Sequence, residues 1–259
     1  MSAAKPIDGF DSFEFAADGV SHPVYLRGTG PGVLLMHELP GMVPECVALA
    51  TAIATRGFTV FMPLMFGEAN APPATSRLLP RVCVSREFHC FAHNKSSPIT
   101  RWLRSLCTLK IRPQCPGPGI GAIGMCFSGS FVLSLFIDDQ LLAPVLCQPG
   151  LPFPGLKPGA GAALAVSPED LQEALASDSP ILGFRFEGDT KCPKARFDTL
   201  QTTFGGRFER HDLPGDEHSV MTLAFVNNPT HPTFQARERL FTFLHTRLGV
   251  PAPVLPGTS

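Results

Sequence analysis

Short runs of apolar residues recur along the chain, and each is bounded by residues that favour turns. Residues 33–36 lie between Gly32 and His37, 58–62 run into Pro63, and 120–124, 143–147 and 181–186 repeat the pattern. Runs this short and this continuously apolar predict strands buried on both faces. Residues 13–16 and 24–27, joined around Asp18-Gly19, predict a pair of short strands, and 207–213 predicts a last one. Helical composition appears between them. Residues 47–55 end at Gly57, a C-cap residue. Residues 97–109 begin with Ser97 as N-cap and Pro98 at the first helical position. Further helices are predicted over 127–137, 168–176, 193–204 and 233–248, the last with apolar Leu240, Phe241, Phe243, Leu244 and Leu248.

Strands and helices therefore alternate, which predicts the α/β class: a mostly parallel sheet covered by helices on both faces. Residues 111–119 read as a connector, and 64–96 as a long irregular loop of a length usually reserved for function. Residues 148–165 form a Pro/Gly-rich excursion, and the tail from Gly249 is Pro-rich and loose. With no internal repeat and no second core, residues 1–259 read as one domain with its core over about 10–248.

Composition narrows this picture. Gly 24 and Pro 27 make about a fifth of the 259 residues, below the low-complexity range. A net charge of -1 argues against bulk electrostatic binding to nucleic acid or an anionic membrane. The N-terminus MSAAKPIDGF has no apolar signal region, and no uncharged apolar run reaches about 18 residues, so a cytoplasmic, reducing location is expected. The eight cysteines contain no CxxC pair and are expected as thiols rather than zinc ligands. His89 and His93, near Cys83 and Cys90, match no zinc spacing. Trp102 is expected in packing, and His22, His211, His231 and His245 at the surface.

The chemistry is concentrated at Gly124-Met125-Cys126-Phe127-Ser128-Gly129, between a strand and a helix. This is the setting of a nucleophile elbow, a turn so sharp that small residues must flank the nucleophile two positions away. Gly124 and Ser128 supply them. Cys126 occupies the nucleophile position at a helix N-terminus, where amide dipoles favour a thiolate. A base and an acid are then required in the chain order acid, histidine. Asp189 follows the strand 181–186, with Glu187 as the alternative, and His218 lies in the loop after 207–213. His37-Glu38-Leu39-Pro40-Gly41 follows the first buried strand, where the oxyanion hole takes one amide, from Leu39; the second comes from Phe127. Glu38 is a surface loop residue or a contact of the Cys126 thiol.

Together, His37-Glu38-Leu39-Pro40-Gly41, the Gly-x-Cys-x-Ser-Gly elbow, Asp189 and His218-Ser219 resemble the dienelactone hydrolase (carboxymethylenebutenolidase) family over roughly residues 10–248. The resemblance implies an α/β-hydrolase fold and a Cys-His-Asp triad that opens the lactone of carboxymethylenebutenolide. It implies Cys126 as nucleophile, His218 as base, Asp189 as its orienter, and Glu38 as the residue that engages the resting cysteine and helps activate it. One position departs. Family members active on dienelactone carry an Arg four residues after the triad histidine to hold the substrate carboxylate, and here that residue is Thr222; Arg81 and Arg86 in the long loop are the candidates to replace it.

The expected substrate is a small ester or lactone, hydrolysed through a thioester without metal or organic cofactor. An aryl esterase or phosphotriesterase of the same fold is an alternative, as is a redox-responsive cysteine protein, which would need neither Asp189 nor His218. Nucleic acid and membrane are not expected as partners, and a homodimer is left open.

Overall fold

The computed structural model describes residues 5–39, 41–73, 97–137, 140–150, 159 and 161–251. Eight strands form one sheet: β1 (Asp11–Ala17), β2 (Val20–Arg27), β3 (Gly32–Met36), β4 (Thr59–Pro63), β5 (Ile120–Met125), β6 (Leu141–Cys147), β7 (Ile181–Phe186) and β8 (Phe208–Leu213). Their spatial order is β1-β2-β4-β3-β5-β6-β7-β8. β2 runs antiparallel to both β1 and β4, and every later pairing is parallel. This is an α/β-hydrolase fold.

The apolar runs are the parallel strands. β3, β4, β5 and β7 are buried at every position, whereas β1 at the edge alternates with exposed residues. Successive side chains of a strand point to opposite faces, and β3 divides accordingly. Leu34 and Met36 pack in one core with Trp102, Leu106, Phe131 and Phe197, while Val33 and Leu35 pack in the other with Leu49, Ile53, Leu240 and Leu244. The first core is covered by α2 (Pro98–Leu106), α3 (Pro168–Ala176) and α4 (Lys194–Phe204); the second by α1 (Pro44–Ala54) and α5 (Pro232–Leu248).

Local signals set the helix ends. Ser97 and Thr100 form a reciprocal capping box at α2, with Pro98 in its first turn. Gly249 ends α5 in the left-handed conformation at φ 68°. Trp102 is buried and donates from Nε1 to the Phe15 carbonyl at 3.0 Å.

Three readings of the sequence change. Part of the predicted connector is helical: α2 continues as a π-helix, Cys107–Ile111, and one further α turn, Arg112–Gln114. Pro113 has no N–H and its ring would press on the carbonyl four residues back, so widening the helix there relieves the clash. The helix after the elbow is a 3₁₀ helix, Cys126–Ser134, tighter than the α-helix expected. His245 is 7% exposed rather than superficial, its ring against Phe58 and its Nδ1 near the Val250 carbonyl, and His22, His211 and His231 are half-buried.

Candidate active site

The carboxyl ends of β3, β5, β6, β7 and β8 lie side by side, because these strands are parallel neighbours. Each loop leaving that edge delivers one polar group. In open parallel sheets this edge is where chemistry collects.

Cys126 directly follows β5 with φ at +56°, a left-handed conformation that costs a non-glycine residue about 1–2 kcal/mol. The strain is held from both sides. A Cβ on Gly124 would stand 2.3 Å from the Ser128 carbonyl oxygen, so this flank must be glycine. Ser128 holds the other flank. Its hydroxyl accepts from the Met125 N–H at 3.0 Å and lies within donating distance of the carbonyls of Met125 (2.9 Å) and Met36 (3.1 Å). The serine where the elbow pattern has glycine thus ties the turn to the end of β3.

Asp189 lies two residues beyond the first exposed position after β7. Its Oδ1 accepts from the N–H groups of Lys191 (2.9 Å) and Cys192 (3.1 Å), which fixes the carboxylate and leaves Oδ2 for His218. The Nδ1–H of His218 donates to that oxygen at 2.7 Å. Glu187, the alternative acid, is exposed. Burial works against a charged His218, but the Asp189 hydrogen bond and the Cys126 sulfur outweigh it and raise its pKa to about 10. Asp189 shifts the opposite way: burial opposes its charge, and the His218 and backbone hydrogen bonds prevail and lower its pKa. The approach of His218 Nε2 to the sulfur is electrostatic rather than a well-formed hydrogen bond, since Nε2 is buried without a partner of that geometry.

Glu38 sits beside this pair. One carboxylate oxygen of Glu38, the Cys126 sulfur and one ring nitrogen of His218 lie within 4.8 Å of one another. The hydrogen bonds of Glu38, however, go elsewhere: Oε1 accepts from Thr222 Oγ1, and Oε2 accepts from Ser219 Oγ (2.8 Å) and Gln148 Nε2 (3.2 Å). The carboxylate is fully buried, and burial raises its pKa against these three donors. Thr222, at the position discussed for a substrate-binding arginine, instead holds Glu38.

His37, next to Glu38, is a different kind of residue. Its Nε2 accepts from the Met65 N–H at 3.1 Å and its Nδ1 meets the Glu38 carbonyl at 3.2 Å, so the ring is neutral with the proton on Nδ1. Burial lowers its pKa to about 4. The ring packs against Phe66, which continues through Phe127 to Phe131. His37 thereby fastens the loop after β4 to the loop after β3, where the Gly41 N–H donates to the Glu38 carbonyl at 2.8 Å and Leu39 lies between.

The sequence named Cys126, Glu38, Asp189 and His218 separately, and the fold brings them to one place. Leu39 lies at the neighbouring turn, and Phe127 is the second residue of the 3₁₀ helix. Arg81 and Arg86, the candidates for substrate binding, lie outside the described residues. Gln148 and the holding roles of Ser219 and Thr222 were missed. The three-residue spacing of Ser219 and Thr222, which puts them on one side of a tight turn, is the signal that could have revealed the last two.

A family model for the dienelactone hydrolase family matches residues 21–229. Among solved structures, the chain is similar to a protein of Klebsiella pneumoniae assigned as a dienelactone hydrolase (17% identity, TM-score 0.62, covering 91% of this chain and 99% of that one). It is similar also to a cold-adapted esterase from an Arctic intertidal metagenomic library (15%, 0.62, 96% and 98%). A third is a propionate-bound thermophilic esterase of Thermogutta terrifontis (16%, 0.59, 96% and 97%). At these identities the structures attest the fold. No curated protein matches the chain. Among the described residues, no helix is long and apolar enough to cross a membrane.

Proposed function

The chain belongs to the dienelactone hydrolase family, and from that membership and the geometry around Cys126 we propose that it hydrolyses activated esters or lactones through a Cys126-His218-Asp189 triad. The observation that carries this reading is Cys126 held in a left-handed turn beside a histidine whose other nitrogen is bound by a buried carboxylate.

In this mechanism His218, cationic below about pH 10, pairs with the Cys126 thiolate. The thiolate attacks the carbonyl carbon, and the oxyanion is held by the Leu39 and Phe127 amides, each donor worth about 3 kcal/mol. The carbon–oxygen ester bond breaks as the His218 imidazolium gives its Nε2 proton to the leaving alkoxide. A thioester remains on Cys126. Neutral His218 then takes a proton from water, the hydroxide adds to the thioester, and the carbon–sulfur bond breaks to release the acid and restore the thiolate. Asp189 holds the ring in register throughout. Glu38 faces the imidazolium with a second carboxylate, fixed by Thr222, Ser219 and Gln148.

A thiolate leaves a tetrahedral intermediate more readily than an ordinary alkoxide does. The substrate therefore needs a good leaving group, as in an enol lactone or an aryl ester. The test is turnover of p-nitrophenyl acetate and butyrate by the wild type, Cys126→Ala and His218→Ala. Activity confined to the wild type supports the reading; equal activity in Cys126→Ala overturns it, and full activity in His218→Ala would leave only a reactive cysteine.

A further inference from the structure

We propose that Arg196 is a positioning residue for the reaction at Cys126, acting through the turn 148–150 at the end of β6. The proposal rests on Cys126 being the nucleophile.

Three consecutive residues of that turn touch every part of the site. The Gln148 side chain donates to Glu38 Oε2 at 3.2 Å, and its Oε1 accepts from the N–H of Val220, two residues beyond His218, at 3.4 Å. The backbone of Pro149 lies so close to the elbow that a Cβ on Gly129 would stand 2.9 Å from the Pro149 Cα. The Gly150 N–H donates to the Cys126 carbonyl at 3.0 Å, and a Cβ on Gly150 would stand 3.1 Å from His218 Cε1. A small shift of this turn would move the nucleophile, the histidine and Glu38 together.

The turn is not relaxed. Gln148 has φ at +34°, uncommon for a residue with a side chain, while its N–H donates to the Phe184 carbonyl at 2.6 Å. A strained backbone of this kind persists only where its surroundings over-determine it.

Arg196 supplies that constraint. It projects from the first turn of α4 and is 1% exposed. Its Nη1 donates to the Pro149 carbonyl at 2.6 Å and its Nε donates to the Ala163 carbonyl at 2.8 Å. One planar group thus joins the two sides of the excursion that begins at Gln148. Burial weakens the basicity of this guanidinium, and the Asp189 carboxylate opposes that weakening. A well-packed apolar side chain would avoid the cost of burying a cation. Arg196 instead gives two fixed hydrogen bonds, one of them to the residue between Gln148 and Gly150.

The test compares Arg196→Met and Arg196→Lys with the wild type. It measures circular dichroism, kcat and KM on p-nitrophenyl butyrate, and the rate at which iodoacetamide alkylates Cys126, followed by peptide mass spectrometry. In Arg196→Met, kcat is expected to fall about 10- to 100-fold with KM within about threefold, since sub-ångström misplacement acts on the chemical step. Alkylation of Cys126 at neutral pH should slow about fivefold or more as the turn that holds the Cys126 carbonyl through the Gly150 N–H shifts. Arg196→Lys, which keeps the charge but not the planar fork, should lose less of both. A folded Arg196→Met with wild-type kcat and alkylation overturns the proposal, as does a loss confined to thermal stability. If Arg196→Met does not fold, Arg196→Lys decides: reduced kcat at unchanged KM supports the role, and unchanged kcat overturns it. Absence of turnover in the wild type would sink the hydrolase reading, while the alkylation rates would still decide the role of Arg196.

Discussion

The loops after β3 and β8 each bury a histidine at the same edge of the sheet, yet the two rings titrate in opposite directions. His37 is fully buried, and with only a backbone amide and a backbone carbonyl as partners its pKa falls to about 4. His218 is mostly buried too, but Asp189 and Cys126 reverse the effect of burial and lift it to about 10. Burial alone makes a histidine a neutral fastener. Burial with a fixed carboxylate makes it a cation that is ready to give up a proton. Of the two groups that reverse the effect of burial, the one anchored in place is Asp189, whose other oxygen is held by two amides.

Removing that side chain should erase the contrast. Asp189→Asn is expected to lower kcat/KM by about 10⁴, the scale seen when a triad acid loses its charge. The pKa of His218, followed by its ring chemical shifts, should fall from about 10 toward or below the ordinary 6.5. A His218 that still titrates near 10 in Asp189→Asn would break the comparison.

The converse change is made at His37. His37→Phe keeps a ring against Phe66 but removes both backbone hydrogen bonds. It should cost about 2–3 kcal/mol of stability in denaturant unfolding, because the Met65 amide loses its buried acceptor. The titration of His218 should not move. If it moves by a full unit, the two loops are coupled and the contrast is not local.

Glu38→Gln sharpens the comparison further. It replaces the ionisable carboxyl beside His218 with an amide and keeps the shape inside the Thr222, Ser219 and Gln148 cradle. Activity should fall about 10-fold with the fold intact by circular dichroism, a loss of about 1.4 kcal/mol in transition-state stabilisation. Unchanged activity would reduce Glu38 to a structural residue.

A last effect lies in the pH dependence of stability. His37 has a folded pKa below its unfolded value, so its contribution is present above about pH 6.5 and is lost as pH falls through about 4. That loss amounts to about 3 kcal/mol at most. His218 has a raised folded pKa, so its contribution is complete below about 6.5 and is lost as pH rises toward about 10. In urea unfolding between pH 4 and 6.5, stability should rise with pH in the wild type and rise less steeply in His37→Phe. An identical slope in both would remove His37 as the cause.

Much of this edge was legible in the sequence because its signals are local. Continuous apolar runs marked the parallel strands, and Gly124, Cys126 and Ser128 marked the elbow within five residues. Asp189 and His218 were readable because each follows a recognisable strand. What the sequence did not reveal is set by partners far apart in the chain. Gln148 and Glu38 are separated by 110 positions, Ser219 and Glu38 by 181, and Arg196 and Pro149 by 47. No periodicity reports such pairs, because only the folded sheet brings them together. The 3₁₀ turn after Cys126 was equally hidden: its residues, CFSGSFVLS, form no regular polar and apolar alternation, so the pattern announces a helix but not its pitch.

The central claim, that Cys126 forms a thioester while turning over an ester, is tested most directly by trapping the intermediate. The wild-type protein is mixed with p-nitrophenyl acetate, quenched in acid within the first turnover, digested and analysed by mass spectrometry. One acetyl group is predicted on the peptide containing Cys126, removable by hydroxylamine, accumulating in His218→Ala only slowly and absent from Cys126→Ala. An acetyl group on a different residue, or release of nitrophenol by Cys126→Ala at the wild-type rate, would contradict it.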